Sequence, residues 1–197
     1  MSATESPLSI AVILASTREG RIGERVARWI HRVAAARPEL AVELLDLKDY
    51  PLPFFALPGS PRTLEANYAD DAARRWVAAI GPRDGFIIVT PEYNHAYPAV
   101  LKNALDYAYA GWMRKPVAFV SYGGSSGGVR AVQQLRQVVI ELRMIPVRDD
   151  VGIRLAGLAA DERGWPTEDF YTKRGDAMAN ELVWWTRAAK DLRARPR

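Results

Sequence analysis

Three short stretches of this chain hold the residue types best suited to chemistry. The first, Ala15-Ser16-Thr17-Arg18-Glu19-Gly20-Arg21-Ile22-Gly23, joins an apolar run to an amphipathic stretch that begins at Glu24. Unpaired N–H groups at the start of a helix, with the partial positive charge there, hold an anion before any side chain contributes. Ser16 and Thr17 add hydroxyl donors, and Arg18 adds a planar fork that matches phosphate oxygens. On residue types alone, a helix cap beside a solvated arginine describes the stretch equally well. It has neither the G-x-G-x-x-G spacing of dinucleotide folds nor the lysine of a Walker loop.

The second stretch is Pro91-Glu92-Tyr93-Asn94-His95-Ala96-Tyr97-Pro98. Two prolines frame a stiff loop whose tyrosines and backbone amides could meet a flat aromatic ligand, or could seal a wet core margin. The third, Ser121-Tyr122-Gly123-Gly124-Ser125-Ser126-Gly127-Gly128, places four glycines in six residues. Glycine permits positive φ and lets main chain approach a ligand without a Cβ in the way. A flexible linker has similar composition, but this one lies between an apolar run and an amphipathic stretch, where close backbone approach has a use. No carboxylate pair, metal-ligand cluster or nucleophile motif competes with these loops.

Elements that could position the loops are readable from periodicity. Residues 9–14, 41–47, 85–90, 116–121 and 144–147 are short apolar runs rich in β-branched residues, and read as strands. Residues 24–37, 65–80, 98–109, 129–142 and 170–192 read as helices, with Val26, Ile30, Val132, Leu135, Met178, Leu182 and Trp185 facing inward. Lys102 and Asp106 form an i,i+4 pair. The proline-rich segment 51–62 must be irregular, and 156–165 reads as a loop. Strands alternating with helices predict an α/β fold, a doubly wound, five-stranded parallel sheet in a single domain. Ligands of such sheets bind beyond the carboxyl ends of the strands, where the winding reverses. The three loops all end there.

Composition bounds the rest. The chain has 197 residues, 49% hydrophobic and 25% charged, which is enough for one folded domain at 9–192, with flexible ends at 1–8 and 193–197. Residues 1–8 lack the pattern of a secretory signal, and no apolar run approaches a membrane span. The chain has no cysteine, so disulfides and thiolate chemistry are excluded and redox work needs a borrowed cofactor; a cytoplasmic location is expected. A net charge of +4 comes from scattered arginines with no nucleic-acid-binding motif, and suits phosphorylated ligands equally.

Over residues 9–145 the three loops together resemble the NADPH-dependent FMN reductase family, a flavodoxin-like branch that includes bacterial quinone and chromate reductases. Its most specific pieces are Pro91-Glu92-Tyr93-Asn94, followed by Pro98 and by Leu101-Lys102-Asn103-Ala104-Leu105-Asp106, and Ser121-Tyr122-Gly123-Gly124 with Gly127-Gly128. Ser16 and Arg18 match a Gly-Ser-x-Arg pattern in which Ala15 replaces the usual glycine.

The resemblance implies that Ser16, Arg18 and the backbone near Ile22, Gly23 and Glu24 hold the FMN phosphate. Pro91, Glu92, Tyr93 and Asn94 would line the isoalloxazine, chiefly through main chain, and Ser121, Tyr122, Gly123 and Gly124 would close its other side. The implied activity is ping-pong: NADPH or NADH gives hydride to FMN and leaves, and a small acceptor such as a quinone or free flavin takes two electrons in the same place, with no catalytic side chain. Arg18 and Arg21 would tolerate a 2′-phosphate, the segment 51–62 would shape the acceptor side, and His95 would be a surface residue. A homodimer or homotetramer is implied, with Tyr107, Tyr109 and Trp112 as a subunit contact or, equally, as core. The competing readings are a flavodoxin-type electron carrier and an FMN-holding redox sensor. Such carriers tend to be acidic and use a Thr-Gly-x-Thr loop, which this chain lacks.

Overall fold

A computed structural model describes residues 6–64, 67–156, 167 and 169–195. The chain runs β1 (Leu8–Leu14), α1 (Gly23–Ala35), β2 (Leu40–Asp46), a short 3-10 turn (Leu47–Asp49), α2 (Pro61–Leu64), α3 (Asp71–Ile80), β3 (Gly85–Pro91), α4 (Ala99–Tyr107), β4 (Pro116–Gly123), α5 (Val129–Glu141), β5 (Ile145–Pro146), β6 (Val151–Arg154) and α6 (Asp169–Ala194). The strands pair in parallel in the order β2-β1-β3-β4-β5, and β6 also pairs with β4. The winding reverses between β1 and β3, so their carboxyl ends border one crevice.

Both faces of the sheet are covered, which is why β3 reads as an unbroken apolar run, all seven of its residues being buried. Ile10, Val12 and Leu14 pack with α1 and α6, while Ala11 and Ile13 pack with α3, α4 and α5. Each helix offers a matching stripe: α1 buries Val26, Ala27 and Ile30, and α6 buries Met178 and Leu182 while Trp185 is half-buried.

Several expectations are corrected. The five-stranded parallel order read from the sequence is present as β2-β1-β3-β4-β5; among the described residues one further segment, β6, occupies the next length of the same edge of β4. Pro146 has no N–H to extend β5. The helix predicted over 65–80 begins at Asp71, where Asp70 accepts from the Ala73 N–H at 2.8 Å and caps it. Leu8 lies within β1, and Arg193 donates to Asp84 and to the Arg114 carbonyl, so the folded body extends past 9–192 at both ends. Residues 1–5, 196–197 and most of the loop expected at 156–165 fall outside the described residues.

The subunit-contact reading of Tyr107 and Trp112 is overturned. Trp112 is 0% exposed and stands between Phe86 and Trp76, with ring centroids 4.7 and 6.1 Å away, and its indole N–H donates to the Leu105 carbonyl. Tyr107 is buried between Phe55 and Tyr68. The chain turns back after α4 and buries these rings, leaving Tyr109 half-buried against the same core.

Candidate functional site

Beyond β1 the chain makes a tight loop around the Ser16 hydroxyl, which is buried and shares a 2.9 Å hydrogen bond with the Tyr93 phenol. Arg21 folds back under this loop with its side chain 8% exposed, donating to the Ser16 carbonyl and to both carboxylate oxygens of Asp46. It stiffens the loop and is not free to meet a 2′-phosphate. Arg18 is exposed, its guanidinium 5.8 Å from the centre of the Tyr93 ring. Among the described residues, no side chain caps the start of α1 at Ile22. Glu24, in the first turn, is bonded to Arg28, which holds its carboxyl below the usual range. Gly23 is required there, because a Cβ would overlap the Tyr122 hydroxyl.

At the end of β3, Glu92 accepts no ligand-facing role for its carboxylate. That group, 5% exposed, turns toward α5 and takes the Arg130 Nε–H at 2.6 Å and the Arg130 backbone N–H at 3.1 Å. Burial works to raise its pKa, but the bonds and charge of Arg130 outweigh burial and hold it below the ordinary value. The next residues form a two-residue hairpin in which Tyr93 and Ala96 exchange backbone bonds of 2.8 and 3.0 Å. Its tip residues, Asn94 at φ 50° and His95 at φ 68°, both adopt the left-handed conformation. The His95 side chain is exposed.

In the third loop the Ser121 hydroxyl donates to the Gly127 carbonyl at 2.7 Å, and Gly128, at φ 83°, opens α5. A Cβ on Gly128 would crowd Ser121, whereas one on Gly124 would meet no heavy atom within 4 Å. Gly124 therefore borders open space. The Tyr122 phenol is buried, and burial first, then the neighbouring Tyr93, push its pKa above the tyrosine range against the bond from Ser16.

The three loops converge on one cleft of about 260 Å³. Of the residues singled out by sequence, Ser16, Arg18, Ile22, Pro91, Glu92 and Tyr93 line it, as do Tyr122, Gly123 and Gly124. Gly23, Glu24, Asn94 and Ser121 do not line it, and they shape the loops around it. Arg21, which the sequence offered only toward a 2′-phosphate, also lines it, and Gly20 and Leu155 line it without having been singled out. Leu155 follows β6, the strand that periodicity missed. Gly20 carries a positive φ of 63°, a signal that sequence could have offered.

A second cavity of about 330 Å³ lies across the first loop, under the proline-rich segment. Asn103 on α4 holds that segment down: its amide accepts from the Phe55 N–H at 2.9 Å and donates to the Pro53 and Leu52 carbonyls at 2.8 and 3.4 Å.

Residues 8–156 match the family model described as NADPH-dependent FMN reductase. The chain belongs to this family. It is 40% identical over 135 residues to an NAD(P)H-dependent FMN reductase of Schizosaccharomyces pombe, covering 68% of this chain and 67% of that one. A quinone reductase of Pseudomonas putida is 32% identical over 142 residues, covering 69% and 72% of the two chains. Among solved structures, the flavoenzyme FerB, an NAD(P)H:(acceptor) oxidoreductase from Paracoccus denitrificans, superimposes with a TM-score of 0.74. It is 24% identical and covers 92% of this chain and 98% of its own, so it shows that this reductase-family chain has that flavoenzyme's fold.

Proposed function

We propose that the chain is an FMN-dependent NAD(P)H oxidoreductase, passing hydride from NADPH or NADH to a small acceptor such as a quinone or free flavin. One observation carries the reading: three loops from the carboxyl ends of β1, β3 and β4 meet in a single cleft with anion-binding groups at one end and open glycine backbone at the other. Membership of a reductase family, with relatives named FMN and quinone reductases, does not favour an electron carrier or a sensor.

FMN fits this donor set. Its phosphate suits the uncapped start of α1, where the N–H groups of Ile22, Gly23 and Glu24 join the Ser16 hydroxyl and the Arg18 guanidinium. Its flat ring suits the backbone of Pro91, Glu92, Tyr93 and Asn94, with Tyr122, Gly123 and Gly124 opposite and Ser121 fixing their loop. When bound, FMN supplies the hydride-accepting and hydride-donating chemistry. The side chains around it orient the reactants and exclude water from one face. The chain acts as a homodimer or homotetramer in the cytoplasm, where NAD(P)H is available; among the described residues, no helix is long and apolar enough to cross a membrane.

Titrating the apoprotein with FMN and with riboflavin tests the reading. Arg18→Ala should weaken FMN about 10- to 100-fold, the range of a charge-assisted bond, and leave riboflavin binding and the melting temperature unchanged. Unchanged FMN affinity would place the phosphate elsewhere. A colourless protein that ignores added FMN, or a yellow one whose NADPH oxidation no quinone or flavin stimulates, would overturn the function itself.

A further inference from the structure

We infer that the Tyr122 and Tyr93 phenols are positioning residues for the flavin phosphate: both donate to the Ser16 hydroxyl and so turn its one hydrogen toward the anion. The inference rests on the FMN reading above and deepens it, because that reading placed both tyrosines on the ring side of the cleft. Their side chains reach the phosphate end instead.

Tyr122 lies in β4 opposite Pro91 of β3, and Tyr93 follows two residues after Pro91, so the two rings start from neighbouring strands. The Tyr93 hydroxyl lies 2.9 Å from Ser16 Oγ, and the Tyr122 hydroxyl bonds the same side chain. Ser16 and Tyr122 are buried, so water competes little for these bonds. The Tyr122 ring belongs to the same core cluster as Leu14 and Val26 and passes under the first turn of α1, where a Cβ on Gly23 would overlap its hydroxyl. The glycine leaves the phenol its route to Ser16 beneath the start of the helix.

A serine hydroxyl has one hydrogen and two lone pairs. Between Ser16 and Tyr93 either oxygen can donate. A phosphate dianion ends that freedom, since it only accepts: it takes the Ser16 hydrogen, and both phenols must then donate into the Ser16 lone pairs. Tyr122 suits this role, because burial first, then the neighbouring Tyr93, keep its phenol protonated. The carboxylates around the loop do not compete for the Ser16 hydrogen, as Asp46 is held by Arg21, Glu24 by Arg28 and Glu92 by Arg130. Arg21 also takes the Ser16 carbonyl, so main chain and hydroxyl are fixed by different partners. Each bond in such a chain polarises the next, which makes Ser16 a stronger donor than a lone serine. Riboflavin, without the phosphate, gains nothing from the arrangement.

Titrating the full-chain apoprotein with FMN and with riboflavin, followed by flavin fluorescence, tests this. Tyr122→Phe should weaken FMN about three- to tenfold, the range of one hydrogen bond, and leave riboflavin within about twofold. Tyr93→Phe should do the same, and it carries the test if loss of the buried Tyr122 hydroxyl harms folding. In a Ser16→Ala background neither change should weaken FMN by more than about twofold further, because the route to the phosphate is gone. Additive losses would overturn the inference, since the phenols would then act on the phosphate without Ser16. Equal losses of FMN and riboflavin would overturn it too, giving the phenols to the ring or to the fold, as would unchanged FMN affinity in both variants while Ser16→Ala weakens it. Ser16→Ala that binds FMN as tightly as wild type, or wild type that binds neither flavin, would instead sink the FMN reading on which the inference rests.

Discussion

Glu92 shows how a motif residue can act without facing the ligand. Its carboxylate ties the β3 loop to the first turn of α5 through Arg130, so two walls of the cleft move as one. Because its folded pKa lies below the unfolded value of about 4.3, the ionised form adds stability at every pH above that value. This contribution is lost as pH falls through the lower, folded pKa. Glu92→Gln should therefore cost about 1–3 kcal/mol at pH 7 and flatten the acid limb of a urea-unfolding stability curve. An unaltered acid limb would show that another carboxyl titrates there. His95 poses the opposite case, a bulky residue in the left-handed region at a hairpin tip where glycine is usual. Relief of that strain exceeds the added flexibility of glycine in the unfolded chain, so His95→Gly should stabilise by about 0.5–1 kcal/mol and leave NADPH kinetics unchanged. A fall in the urea midpoint would show that the imidazole makes a contribution the hairpin geometry does not. Sequence named this loop but not its turn, because Asn-His lacks the glycine that marks such hairpins.

At the level of elements, the long buried strands were legible, as was the short edge strand read at 144–147, whereas β6 was not. β3 and β4 are apolar on both faces, a pattern that no exposed segment imitates. β6 is four residues of alternating burial beside charged neighbours, too brief for periodicity to detect. Likewise the start of α3 depended on which acidic residue caps it, and Asp70 and Asp71 are equivalent by type. Asn103 was quoted within a motif but had no evident partner, since the carbonyls it holds lie about 50 positions earlier, in a segment without period. Replacing it by alanine leaves the Phe55 N–H and two carbonyls without their bonds. Asn103→Ala should cost about 1–3 kcal/mol and speed amide exchange around residues 52–55, with FMN affinity unchanged. Exchange that stays slow there would mean the prolines alone hold the segment.

Across the whole molecule, the two ends of the sheet do different work. The carboxyl end gathers the loops of the cleft, and this was legible because strand–helix alternation fixes where such loops must emerge. At the amino end Asp84 joins three elements: it takes the Ser9 N–H at 3.0 Å, Lys190 at 2.8 Å and Arg193 at 3.1 Å, fastening α6 across β1 and β3. Nothing in the sequence spacing announced that tie, since its partners lie 75 to 109 positions away. Asp84→Ala strands two cations and an amide, and should lower stability by about 1–3 kcal/mol. The seven residues of β3 put this tie about 20 Å from the cleft at roughly 3.3 Å per residue, too far for direct coupling. FMN affinity of Asp84→Ala should therefore stay within about twofold of wild type, and its stability loss should add to that of Glu92→Gln within about 0.5 kcal/mol. A larger interaction in that double-mutant cycle would show that the sheet transmits strain from its amino end to the cofactor cleft, and that the two ends are not independent.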